Sequence, residues 1–178
     1  SPVNKIIYYF FILIIGTALL AVSAKIKVPF YPVPMTMQTF IVMFFGLIFG
    51  WKKACLIVFT YLLEGAFGLP VFAGTPEKGL GISYIAGPTG GYLLGFIFTA
   101  YLSGKFKFNK NIIFRISQLI ACVAPIYIFG CLWLGYIIGW EKPIFSIGLT
   151  PFILAESFKI LLLSLLIPKI SYLNRLSR

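Results

Sequence analysis

The sequence predicts an all-α membrane protein with six transmembrane helices, organised as one substrate-binding domain over residues 1–178. The chain is 60% hydrophobic, its mean hydropathy is +1.01, and only 11% of its residues are charged. A water-soluble domain of this size needs more polar surface than that. One bilayer crossing takes about 20 apolar residues, so this length accommodates roughly six crossings and no separate soluble domain.

The first half of the chain predicts three helices. The uncharged run of helix one would extend about 28 Å, which matches the hydrocarbon thickness of a bilayer. The segment after it contains Pro29, Pro32 and Pro34 and cannot form a regular helix. Gly50 and the group Trp51-Lys52-Lys53 are predicted to close helix two at the membrane interface. The predicted bounds of these helices are 6–24, 36–49 and 54–69.

A long loop rich in Gly and Pro, over 71–91, is predicted between helices three and four. Ordered loops of this length are more often functional than idle. Three further helices follow it, of which the last is predicted to end at Pro168 and Lys169. The predicted bounds are 92–103, with a start as early as Gly90, then 112–138 and 151–167.

The distribution of Lys and Arg predicts that both termini are cytoplasmic, because cytoplasmic loops collect positive charge. The residues then assigned to the cytoplasmic side are Lys5, Lys52, Lys53, Lys105, Lys107, Lys110, Arg115, Lys169, Arg175 and Arg178. The outer side holds Lys25, Lys27, Lys78 and Lys142, partly offset by Glu77 and Glu141. Because the basic residues lie in short clusters between apolar runs, the net charge of +11 indicates membrane orientation and not a nucleic-acid partner.

Three ionisable residues fall inside predicted helices, where a charge is costly unless it is paired or faces a polar cavity. Glu156 and Lys159 are three positions apart and share one face of helix six. They form either an ion pair that orients the helix or, as we favour, a buried polar ligand site. Glu64 lies near the outer end of helix three and is interpreted as an interfacial acid.

Catalysis finds little support in the sequence. The chain contains no His and no Asp, which excludes a His-dependent triad, a two-aspartate protease and a His-ligated metal hydrolase. Its three cysteines lack metal-ligand spacing, and no phosphate loop of the form GxxxxGK[ST] is present. We therefore expect a binding or transport protein, with no cofactor and no metal, and not an enzyme.

The loop segment Gly87-Pro88-Thr89-Gly90-Gly91-Tyr92 is either a lid over a ligand or a tight turn into helix four. Together with Pro32-Val-Pro34-Met-Thr36-Met-Gln38-Thr39 and Gly65-Ala-Phe-Gly68-Leu-Pro70, it resembles the BioY family, the biotin-specific substrate-binding components of energy-coupling-factor (ECF) transporters. The resemblance extends over about residues 18–159. It includes a late helix with an acid three residues before a lysine.

The resemblance implies six helices with cytoplasmic termini and biotin held near the outer face, under the loop between helices three and four. Glu156 would accept from the ureido N–H groups, and Lys159 would donate to the ureido carbonyl or pair with the valerate carboxylate. Gln38, Tyr84, Thr89 and Tyr92 are further candidates for wall or hydrogen-bond roles. The family acid is usually Asp, so the longer Glu156 predicts a shifted or water-mediated contact, and an amide that some relatives supply from the third loop is missing.

The resemblance also implies partners: a membrane coupling protein and two cytoplasmic ATPases. Helix one of the family docks on the coupling protein through small residues four apart, for which Thr17 and Ala21 are the best match here. The expected location is the plasma membrane of a prokaryotic cell, as a multi-pass protein. The alternatives are a binding subunit for another small vitamin and a membrane scaffold without a transport role.

Overall fold

Helices dominate the computed structural model of the chain, which describes residues 2–28 and 31–176. The helices are α1 (Pro2–Lys25), α2 (Gln38–Ala66), α3 (Ile82–Ile85), α4 (Gly90–Lys105), α5 (Ile112–Ile138), α6 (Ile144–Gly148) and α7 (Thr150–Leu176). Two short strands, β1 (Lys27–Val28) and β2 (Met35–Thr36), pair antiparallel with Lys27 opposite Thr36. The all-α prediction is confirmed. The predicted non-helical segment supplies β1, whereas β2 follows it and includes Thr36, which was predicted to begin helix two. Pro29 lies outside the described residues.

Within the described residues, four helices are long and apolar enough to cross a membrane: α1 from Val3, α2, α5, and α7 as far as Ile170. Helix α4, with 16 residues, is somewhat shorter than the roughly 20 residues of a full crossing. A multi-pass membrane protein accounts for these helices. The number of six crossings stays a prediction.

Helix α2 folds back on itself at Gly50. The backbone there has φ 76° and ψ 167°, a conformation that glycine adopts without steric cost. Near the two ends of α2, Gln38 Nε2 lies 2.8 Å from Tyr61 Oη although the residues are 23 positions apart. A straight helix would separate them by about 34 Å. The element is therefore a hairpin of two helical legs, one on each side of Gly50.

Several predicted bounds need correction. Gly50 separates helices two and three as predicted, but the first leg begins at Gln38, and the second leg is already helical at Trp51 and ends at Ala66. Pro168 does not end the last helix, which continues to Leu176; membrane helices tolerate an internal proline where neighbouring groups satisfy the freed carbonyls. The short helices α3 and α6 were not predicted. By contrast, α5 has the predicted bounds.

Helices α4 and α5 pack closely because glycine lines the contact. A Cβ atom on Gly95 would lie 2.4 Å from Ile126 Cα, and one on Gly91 would lie 2.2 Å from Phe129 O. Small residues four apart commonly allow such an approach between membrane helices. This contact fixes the start of α4, which carries Tyr92, beside the middle of α5, which carries Tyr127.

Candidate functional site

A cleft opens where the starts of α2, α4 and α7 meet the β1–β2 hairpin and the segment 71–75. We call this side of the molecule the cleft end. Eight residues with polar side chains line the cleft: Thr36, Gln38, Thr39, Tyr84, Thr89, Tyr92, Tyr127 and Lys159. Its other lining residues are Val33, Pro34, Met35, Ala73, Leu93, Phe96, Ile126 and Phe152. A mainly apolar wall with a few convergent polar groups is typical of a small-molecule site.

The cleft is narrow. Its cavity volume is only about 50 Å³. A ligand of vitamin size therefore requires the walls of the cleft to move apart.

Glu156 and Lys159 are both buried and form an ion pair on α7, with Lys159 Nζ 3.6 Å from Glu156 Oε2. Lys159 Nζ also donates to the backbone oxygen of Thr36 at 2.6 Å and to Thr39 Oγ1 at 3.0 Å. Lys159 lines the cleft, whereas Glu156 does not. The two residues are brought together as predicted, and the ammonium is the member of the pair that faces the cleft.

Two hydroxyl groups separate Glu156 from the cleft. Thr39 Oγ1 donates to Glu156 Oε1 at 2.9 Å, and Tyr127 Oη donates to Oε2 at 2.6 Å. Both Thr39 and Tyr127 line the cleft, and sequence reasoning gave neither of them a role. The detectable signal for Tyr127 was a phenol in the middle of an apolar helix, since a buried tyrosine hydroxyl needs a partner.

Gln38 is buried at the rear of the site. Its side-chain nitrogen donates to Tyr61 Oη at 2.8 Å and to the backbone oxygen of Leu20 at 3.4 Å. Tyr61 in turn donates to the backbone oxygen of Val71 at 2.7 Å. Gln38 thus lines the cleft and also joins both legs of α2 to the segment 71–75.

Tyr84, Thr89 and Tyr92 all line the cleft. Their role in binding a ligand stays a prediction. The Tyr84 hydroxyl accepts from Gly74 N at 3.0 Å, and the Tyr92 hydroxyl donates to the backbone oxygen of Gly148 at 2.7 Å. Thr89 Oγ1 is a buried atom without a hydrogen-bond partner. The Thr89 hydroxyl and the O–H of Tyr84, which accepts from Gly74 N, can therefore both contact a ligand without breaking these internal bonds.

Two lysines tie the walls of the cleft together. Lys25 Nζ donates to the backbone oxygens of Phe72 at 2.8 Å and Thr75 at 2.6 Å, and Lys27 Nζ donates to that of Ala73. Lys27 belongs to β1, whose partner strand supplies Thr36 to the cleft. The hairpin and the segment 71–75 are therefore held to each other by charge-assisted hydrogen bonds.

The residues predicted to bind a partner, Thr17 and Ala21, do not line the cleft. Thr17 is buried, and its hydroxyl donates to the backbone oxygen of Ile14 at 3.3 Å, while Ala21 is half-buried. A Cβ atom on Gly16 would lie 2.7 Å from Ile57, so this face of α1 packs on α2. Glu64 is half-buried and does not line the cleft.

The arrangement suits a neutral ligand group that both donates and accepts hydrogen bonds. The cleft presents an ammonium and several hydroxyls, and a carboxylate lies directly behind two of those hydroxyls. Among residues 2–28 and 31–176, no three His, Cys, Asp or Glu side chains cluster as metal ligands would.

Comparison with known proteins gives concordant results. The family model described as the BioY family matches residues 4–175. A probable biotin transporter BioY of Pyrococcus horikoshii is 37% identical over 80% of this chain and 83% of its own length. The biotin transporter BioY of Thermotoga maritima is also 37% identical, over 85% of this chain and 89% of its own. The crystal structure of the S-component for biotin from an ECF-type ABC transporter matches with a TM-score of 0.76 and 23% identity, covering 95% of this chain and 93% of that one.

Proposed function

The chain belongs to the BioY family, and we propose that it binds biotin in the cleft and acts in biotin uptake as the S-component of an ECF-type transporter. The observation that carries this proposal is the buried Glu156–Lys159 pair beside the cleft, within a chain whose similar relatives are named biotin transporters. Membership of this family supports a transport protein and not an enzyme.

We propose that the ureido ring binds beside Lys159. A ureido group has two N–H donors and one carbonyl acceptor. The ammonium of Lys159 would donate to the carbonyl. The Thr39 and Tyr127 hydroxyls would accept from the N–H groups while they donate to Glu156, or they would turn away so that Glu156 accepts from the N–H groups directly. The apolar walls at Phe96, Ile126 and Phe152 would receive the thioether ring and the aliphatic tail.

Charge balance favours this pose over one in which Lys159 pairs with the valerate carboxylate. Glu156 and Lys159 already neutralise each other at 3.6 Å. A second carboxylate would leave one uncompensated negative charge in a buried site, which costs several kcal/mol. A neutral ureido ring adds hydrogen bonds without adding charge.

We propose six membrane crossings with both termini cytoplasmic. The fold-back of α2 at Gly50 supports the number, because its two legs with α1, α4, α5 and α7 make six. The proposed location is the plasma membrane of a prokaryotic cell. The energy for uptake would come from a membrane coupling protein and two ATPases. The coupling protein would dock on α1 through the predicted pair Thr17 and Ala21, of which only Ala21 is partly exposed.

Equilibrium binding of labelled biotin to the purified protein tests the site, with Lys159→Met and Glu156→Gln as variants and Glu64→Gln as the control. Glu64 is an acid at the same end that does not line the cleft. Removing one partner of a buried ion pair costs about 3–5 kcal/mol, so at least one variant should lose about a hundredfold in affinity or more. Glu64→Gln should bind like the wild type.

Tight wild-type binding with both variants unaffected would refute the site and leave the function standing. An absence of wild-type binding would refute biotin as the ligand, and a thermal-shift screen of other small vitamins would then decide the alternative. A ligand at a hundred times its dissociation constant stabilises a protein by about 2.7 kcal/mol, which such a screen detects.

A further inference from the structure

Among the residues that the structure describes, the cations at the end of the molecule opposite the cleft have no acidic partner. We call this end the basic end and define it by Lys5, Lys52, Lys53, Lys105, Lys107, Lys110, Arg115 and Lys169. Contacts connect several of them: Lys52 and Lys105 both lie beside the Trp51 ring, and Arg115 donates to the backbone oxygen of Lys110 at 3.0 Å.

All four acidic side chains of the sequence lie elsewhere. They are Glu64, Glu77, Glu141 and Glu156, in or beside the segments that form the cleft end. Glu156 is paired with Lys159. The basic end therefore has no acidic side chain beside it, which leaves its cations available to an anion from outside the chain.

A pocket opens at the basic end between the fold-back of α2, the end of α4 and the end of α7. Its cavity volume is about 310 Å³, against about 50 Å³ in the cleft. One part of the pocket is polar and is lined by Lys107, Ser103 and the backbone at Gly50 and Gly104. The other part is apolar and is lined by Leu47, Phe108, Ile167 and Ile170. The pocket thus joins a polar wall that carries one cation, Lys107, to an apolar wall.

Two more lysines flank this pocket through Trp51. The Nζ atoms of Lys52 and Lys105 lie 5.6 Å and 5.3 Å from the centre of the Trp51 ring. Tyr101 packs edge-on against the same ring at 5.4 Å. Tryptophan and tyrosine beside lysine are typical of the depth at which lipid headgroups lie.

We propose that this pocket binds the headgroup of an anionic phospholipid from the leaflet at the basic end. Lys107 and Lys105 contact the phosphate, Lys52 adds positive charge, and the apolar wall receives the first carbons of an acyl chain. Basic pockets between membrane helices bind anionic headgroups in this way. A phospholipid is favoured over a soluble anion because only an amphiphile uses both walls. The proposal rests on the placement of the chain in a membrane and not on the ligand of the cleft.

The test is thermal unfolding of the full chain in a neutral detergent, with phosphatidylglycerol, phosphatidylcholine or inorganic phosphate added. Saturating phosphatidylglycerol should raise the melting temperature by about 5–10 °C, and the other two should not. The double variant Lys105→Met/Lys107→Met should need about 25-fold more phosphatidylglycerol for half the shift, since each surface lysine contributes about fivefold. The control Lys142→Met, at the cleft end, should respond like the wild type.

An equal shift with phosphatidylcholine would refute the headgroup, and an equal shift with inorganic phosphate would refute the lipid in favour of a soluble anion. No shift with any of the three, or a full shift in the double variant, would refute the site and leave the basic end to a protein partner. The shift caused by biotin, measured without added lipid, reports on the cleft alone. It also shows that the double variant is folded, so failure of either proposal is recognised separately.

Discussion

Tyr127 on α5 donates a hydrogen bond of 2.6 Å to Glu156 Oε2 on α7. The other oxygen of the same carboxylate accepts from Thr39 on α2 at 2.9 Å. Three helices that are distant in sequence therefore meet at one buried charge beside the cleft. A ligand that binds there either keeps these bonds and contacts the hydroxyls, or replaces them and contacts Glu156 directly.

Replacing Tyr127 by phenylalanine should weaken biotin binding by about ten- to a hundredfold. The change removes one hydrogen bond to a charged group, worth about 1.5–3 kcal/mol, and keeps the ring that packs 6.0 Å from Phe152. Isothermal titration with biotin measures the change. Tyr136→Phe, an exposed position on the same helix, is the control, and equal affinities for the two variants would exclude Tyr127 from the site.

Biotin amide, which lacks the carboxylate, should bind the wild type within about threefold of biotin. The reason is that Lys159 meets the neutral ureido group in the proposed pose. Competition against labelled biotin measures the ratio, in the wild type and in Lys159→Met. A loss of a hundredfold for the amide in the wild type, together with no difference between the two ligands in Lys159→Met, would assign Lys159 to the carboxylate instead.

Replacing Lys25 by methionine should speed the dissociation of biotin by about tenfold. The variant leaves the backbone oxygens of Phe72 and Thr75 without their lysine donor, at a cost of about 1–3 kcal/mol, and so loosens one wall of the cleft. Dissociation of labelled biotin, chased with unlabelled ligand, gives the rate. Lys142→Met, an exposed lysine at the same end, should dissociate like the wild type; unchanged dissociation in Lys25→Met would mean that the cleft opens without separating these two segments.

Replacing Gly95 by alanine should destabilise the fold by about 3 kcal/mol. The added Cβ would lie 2.4 Å from a backbone atom of α5, which cannot move as a side chain can. The melting temperature in detergent measures this loss. Leu94→Ala is the control, because Leu94 is 47% exposed, and a melting temperature for Gly95→Ala as high as that of Leu94→Ala would contradict the close packing of α4 on α5.

Local signals in the sequence were sufficient for α5. Asn111 precedes it and its side chain accepts from Ile113 N at 2.8 Å, and Gly139 with φ 96° follows its last residue. Both residue types favour these positions at helix ends. The end of α7 was mispredicted because Pro168 is a strong local breaker, whereas packing against other helices decides whether a membrane helix continues.

The site was predicted in part for a similar reason. The spacing of Glu156 and Lys159 on one helix is a local pattern, and it identified the pair. The contacts of Glu156 with Thr39 and Tyr127 span 117 and 29 positions, and no local pattern encodes them. Lys25 and Lys27 were counted as outer-side charges, but their partners are backbone oxygens of the segment 71–75, which carry no residue-specific signal.

The neutrality of the Glu156–Lys159 pair has an electrical consequence for the proposed uptake. A site whose own charges cancel adds no net charge to the passage of biotin across the membrane potential. The ligand itself contributes the single negative charge of its carboxylate. Carrying it into a cell that is negative inside requires about 2.3 kcal/mol per 100 mV. Accumulation against the voltage therefore needs an energy source, which agrees with the proposed dependence on ATPase partners.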